Sequence, residues 1–142
     1  MQSEAGKSPV LVIPCSGIGK VQGLLSREAT YLATDEVAPG VTDTLCLALL
    51  VKGDEEAVAK VQTHACITID GCAKACARKN TEIAGGRVAK AVQVADALKH
   101  HRGVQPGTSE VLTVDGWSVA RELAETVAAA AECLQAGEEV AP

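Results

Sequence analysis

Sulfur dominates the reactive side chains of this sequence, with six cysteines among 142 residues. Two of them stand four residues apart in Asp70-Gly71-Cys72-Ala73-Lys74-Ala75-Cys76. An apolar, β-branched run from Cys66 to Ile69 leads into Asp70-Gly71, and residues that favour helix follow. That order predicts a strand, a tight turn and a helix opening at Cys72. Residues four apart share a helix face, so Cys76 is expected one turn above Cys72. Unpaired N–H groups and the positive end of the helix dipole favour a thiolate at such a position. Two thiols so placed suit a metal ion, a redox couple or a nucleophile.

Cys15 has the same setting. Val10-Leu11-Val12-Ile13 reads as a strand buried on both faces, and it ends in Pro14-Cys15-Ser16-Gly17-Ile18-Gly19-Lys20. Val21, Leu24, Leu25, Ala29 and Leu32 then recur at helical spacing to about Ala33. As a dinucleotide fingerprint the turn is imperfect, because Gly23 comes one position late after Gly17-x-Gly19 and no acidic partner follows cleanly. As a Walker loop it fails, since Pro14 and Val21 occupy required positions. Two readings stay open: a backbone nest presenting the Cys15 thiolate, or a tight turn with Cys15 as a small buried residue.

Further elements must bring these cysteines together. Val41 to Cys46 reads as a short strand with Cys46 at its carboxyl end, although a strand from Leu45 to Val51 has equal periodicity and would bury Cys46. Gly53 or Asp54 caps a helix through Glu55, Ala57, Val58, Val61 and Gln62. Ala65 to Ile69 is the central strand, with Cys66 a buried structural thiol. Gly85-Gly86 stops the next helix, and Ala91 to Val94 centres another strand. His100 and His101 fall in an exposed loop and are read as solvated. Val111 to Val114 is a candidate edge strand. Asp115 or Gly116 opens a last helix with Trp117, Leu123, Val127, Ala131 and Leu134 on one stripe, and Cys133 near its end belongs to packing or surface.

Strands alternating with helices predict an α/β fold: a single-domain three-layer sandwich with a mostly parallel sheet, Rossmann-like, over residues 9–136. Flexible segments are expected at 1–8 and 137–142. Open sheets of this kind bind ligands beyond the carboxyl ends of their strands. Cys15, Cys72 and, with the short strand, Cys46 each follow a strand, and Cys76 lies just beyond. Three segments would deliver four thiols to one edge.

Composition narrows the function. The apolar share is 47% and the charged share 22%, as in a globular domain. With one Trp, one Tyr and no Phe, the chain lacks the stacking platforms of single-stranded nucleic-acid binders. A net charge of -5 gives no general attraction to nucleic acid or an anionic membrane. The polar first residues do not resemble a signal peptide, so a cytoplasmic setting with reduced thiols is expected. There, six cysteines read as metal-binding, catalytic or buried thiols.

The run Ile69-Asp70-Gly71-Cys72-x-x-x-Cys76-Ala77, with Pro14-Cys15-Ser16-Gly17 before it and Cys46-Leu47 between, resembles the DGC-domain family, named for its Asp-Gly-Cys motif. The likeness covers roughly residues 9 to 98. The family is described as zinc-binding on the strength of four shared cysteines, which match Cys15, Cys46, Cys72 and Cys76. Cys66 and Cys133 have no counterpart in its pattern. The resemblance thus implies a metal-binding protein with a four-cysteine zinc site. An iron–sulfur cluster ranks behind zinc. The alternative is a thiol enzyme or redox protein using Cys72 and Cys76, or Cys15.

Overall fold

The computed structural model describes residues 8–15 and 19–137. Apart from Ser8 and Gly137, the end segments expected to be flexible lie outside these residues, as do Ser16, Gly17 and Ile18 of the first turn. Strands β1 (Val10–Pro14), β2 (Thr42–Thr44), β3 (Ala65–Asp70) and β4 (Arg87–Gln93) form one sheet in the order β2-β1-β3-β4. Every pairing is parallel. Helices α1 (Val21–Leu32), α2 (Leu47–Lys52), α3 (Glu55–Thr63), α4 (Cys76–Ile83), α5 (Val94–Leu98) and α6 (Val114–Gln135) cover its two faces.

The period of two along a strand divides the apolar side chains between two cores. Val10, Val12, Ile67 and Ile69 pack with α1, α5 and α6, notably with Leu25, Val119, Leu123 and Val127. Leu11, Ile13, Cys15 and Cys66 pack on the other face with Leu47, Leu50, Val61 and Ala77 of α2, α3 and α4. A sheet apolar on both faces and covered by helices is the three-layer α/β fold expected from the sequence. Among the described residues, no helix is long and apolar enough to cross a membrane.

Strand order locates the special point of the sheet. From β1 the chain crosses outward to β2; from β3 it crosses the opposite way to β4. Helices α1 and α4, which follow β1 and β3, pack on opposite faces of the sheet, and the edge between these two strand ends is the topological switch point where such sheets bind ligands. Register brings the two strand ends level, with Pro14 opposite Ile69 and the Cys15 N–H donating to the Ile69 carbonyl at 2.9 Å.

Several local expectations change. Leu45 to Val51 is not a strand: Leu47–Lys52 is helical, and the short strand ends at Thr44. Val111 to Val114 forms no edge strand; the described pairing there is a single bridge, Gly107 to Leu112. Thr113, not Asp115 or Gly116, caps α6, its hydroxyl accepting from the Gly116 N–H at 3.1 Å. Trp117 is 44% exposed because the buried stripe of α6 runs through Gly116, Ala120, Leu123 and Val127, one position away.

Candidate thiol site at the carboxyl edge

Cys15 sits at the switch point and is 7% exposed. Its sulfur accepts from the Gly71 N–H at 3.3 Å, which joins the end of β1 to the Asp-Gly-Cys turn. The Ser26 hydroxyl lies 3.4 Å from the same sulfur and also bonds the Gly23 carbonyl at 2.7 Å. Ser26 is fully buried on α1, as is Thr30 one turn on, and of the two the Ser26 hydroxyl lies beside the thiol. Sequence reasoning passed over Ser26; its place among Gly23, Leu24, Leu25 and Ala29 on the core stripe was the available signal.

Gly71 is required by close approach. A Cβ at this position would come 3.0 Å from Gln22 Cβ and 3.1 Å from the Gln22 carbonyl carbon. The first turn of α1 thus presses on the Asp-Gly-Cys segment, and a side chain would push it off Cys15.

The helix after β3 starts later than its composition suggests. Gly71 to Lys74 form a turn, the Ala75 N–H donates to the Cys72 carbonyl at 3.1 Å, and Cys76 is the first helical residue. Cys72 therefore lies on the turn and does not open the helix; the helix-start position belongs to Cys76. Ala75 occupies the capping position with φ 53° and ψ 49°, a left-handed conformation that a Cβ disfavours. It has no side-chain oxygen, and Asp70 supplies the cap instead. The Asp70 carboxylate, 1% exposed, accepts from the Ala77 N–H at 2.7 Å and the Arg78 N–H at 3.1 Å. Asp70 thus satisfies two orphan donors of α4 and pins down the turn that carries Cys72 and Cys76.

Cys46 follows β2 and occupies the capping position of α2, exposed to solvent. It shares a cavity of about 190 Å³ with Cys15. None of the six cysteines is in a disulfide among the described residues; Cys72 and Cys76 are exposed. The four expected site cysteines thus lie beyond the carboxyl ends of β1, β2 and β3. They do not form a closed cluster: among the described residues, no three Cys, His, Asp or Glu side chains group closely enough to hold a metal ion.

Cys66 is fully buried in the second core, its thiol directed at the Val61 and His64 carbonyls at 3.7 and 3.5 Å. Burial pushes that thiol up to about 11, so at neutral pH it stays protonated and inert. His100 and His101 are not simply solvated. Both reach across to Glu122 of α6, at 2.6 and 2.8 Å, and these bonds hold the Glu122 carboxyl below its ordinary value despite the opposing effect of partial burial. They are remote in sequence from the thiols, and neither belongs to the site.

Comparison with protein-family models matches residues 11–115 to the DGC domain. The match takes in all four strands except Val10 of β1, together with Cys15, Cys46 and the Asp70–Cys76 segment. No curated protein and no solved structure matches the chain.

Proposed function

The chain belongs to the DGC-domain family, and from that premise we propose that it is a small thiol protein that takes up a thiophilic metal ion through Cys15, Cys46, Cys72 and Cys76. The observation that carries this reading is the bond from the Gly71 N–H to the Cys15 sulfur at the switch point. It ties one thiol-bearing strand end to the loop that holds two more.

Zinc is the ion that the donor chemistry suits: four sulfurs, with no carboxylate among them. An iron–sulfur cluster takes the same ligands and is the second choice. The arrangement of the thiols does not fit a preformed zinc site, since no three donors are grouped. Of the four, only Cys15 belongs to a core; Cys46, Cys72 and Cys76 are exposed, and the two cores close without them. The metal in this proposal is an acquired ligand of the edge and not a support of the fold. A cytoplasmic setting agrees with six cysteines outside any disulfide.

A thiol enzyme or redox protein is the second reading, and one observation favours it. Cys15 is held by a backbone N–H and a buried hydroxyl at the wall of a cavity, as a reacting thiol would be. Elemental analysis and a visible spectrum of protein purified without oxygen separate the readings. About one zinc per chain, lost on Cys15→Ser or Cys72→Ser, supports the metal proposal. A metal-free chain with titratable thiols supports the second reading, and iron with a visible absorption band supports the cluster.

A further inference from the structure

The cavity between the ends of β1 and β2 has a composition that the thiol reading does not use. Pro14 and Cys15 line it at the end of β1, Thr44 at the end of β2, Leu45, Cys46 and Leu47 beyond it, and Arg27 and Tyr31 from α1. Arg27 and Tyr31 are four apart and share one face of the helix, so both turn toward the same opening.

Among the described residues, Arg27 is the one charged side chain on this wall. None of the ion pairs among the described residues involves it. Its acidic neighbour Glu28 borders a different pocket, beside Leu24 and Trp117. A half-buried guanidinium facing apolar side chains, Thr44 and two cysteines thus carries an unmatched positive charge into a concave space. The ligand that completes such a space brings one negative charge and an apolar body. An inorganic anion is the poorer match, because beyond Arg27 and Thr44 it would meet Pro14, Leu45 and Leu47, which offer nothing in exchange for its hydration.

Volume limits the body. A cavity of about 150 Å³ holds benzene, and this one is about 190 Å³. The geometry points to a subsite for a small organic carboxylate, of about one ring's bulk, held by Arg27 beside Cys15 and Cys46. The carboxylate takes the guanidinium fork in two parallel bonds, and the body packs on Pro14, Leu45, Leu47 and the Tyr31 ring. The assignment rests on the thiol-edge reading for the placement of the two cysteines, and not on a metal.

The test uses the full chain, reduced and metal-free, with two alkylating probes of nearly equal size. Iodoacetate carries a carboxylate and iodoacetamide does not. Site-resolved mass spectrometry gives the iodoacetate-to-iodoacetamide rate ratio at Cys46, normalised to a free cysteine peptide. A ratio roughly tenfold above the peptide is expected from one partly buried charge-assisted contact. Arg27→Gln should return it to the peptide value, and Arg27→Lys should keep part of it. In the wild-type chain, benzoate should slow iodoacetamide labelling of Cys46 while benzamide and phosphate should not, an arm that stands even if R27Q folds poorly. A ratio equal to the peptide's, a ratio unchanged in R27Q, or equal protection by benzoate and benzamide would overturn the assignment. Zinc content reads the other proposal separately. A chain without zinc but with an Arg27-dependent ratio keeps the subsite, and a zinc-bearing chain without that ratio loses it.

Discussion

Asp70→Ala is the substitution that most directly strikes the support of the thiol loop. It removes a carboxylate that accepts from Ala77 at 2.7 Å and Arg78 at 3.1 Å, at a position 1% exposed. Loss of a helix cap costs about 0.5–2 kcal/mol, and a hydrogen bond to a charged group contributes about 1.5–3 kcal/mol. Two such bonds, one buried and one partly buried, place Asp70→Ala at about 3 kcal/mol. Asp70→Asn keeps one acceptor oxygen and turns an NH2 group toward a backbone N–H, so it should lose about half as much. A domain of this size has roughly 5–15 kcal/mol of stability, so both variants should still fold. Equilibrium urea unfolding at neutral pH should show lower midpoints with unchanged slopes. Amide exchange should speed up first at Ala77 and Arg78, the start of α4. An Asp70→Ala loss under about 0.5 kcal/mol, or Asp70→Asn equal to the native chain in midpoint and exchange, would refute the capping role.

Other expectations follow from the same site. Gly71→Ala should lose about 1 kcal/mol, because the overpacked Cβ against Gln22 outweighs the gain from a stiffer unfolded chain; a raised urea midpoint would contradict this. Ala75→Gly should gain about 0.5–1 kcal/mol by relieving the left-handed backbone between Cys72 and Cys76, and a lower midpoint would count against strain there. Cys66, raised from 9.0 to about 11, favours its protonated form in the folded chain. Its stabilisation is complete below pH 9 and disappears as pH rises from 9 to 11, on the order of 2 kcal/mol. The urea midpoint should fall across that window in the native chain and less steeply in Cys66→Ala.

The parts of the fold legible in the sequence are those set by local period. Val10 to Ile13, Val21 to Leu32 and Glu55 to Thr63 carry their own apolar pattern, and each forms the expected element. Leu45 to Val51 shows the limit of that signal, since an apolar run of this length suits a strand or a helix and only packing against β1 and α3 decides. The start of α4 was misplaced for a different reason. Ala73, Lys74 and Ala75 favour helix, but the cap comes from Asp70, seven residues before the N–H it accepts from, and that reach holds the intervening residues in a turn. Strand-to-helix alternation was enough to place Cys15, Cys46 and the Asp70–Cys76 turn on one edge. Whatever depends on partners distant in sequence stayed hidden. Ser26 beside Cys15 and Arg27 and Tyr31 at the cavity are pairings made by the crossover from β1 to β2, and the two histidines on Glu122 join the segment after β4 to α6.

The central claim is that four thiols from three strand ends act as one site, and zinc protection of individual cysteines tests it most directly. The reduced, metal-free chain is alkylated near neutral pH with and without added zinc, and each cysteine is read by mass spectrometry. Zinc should slow labelling at Cys15, Cys46, Cys72 and Cys76 together, leave Cys133 unchanged, and find Cys66 unlabelled in both samples. Labelling of the four cysteines at rates that zinc does not alter would contradict the shared site.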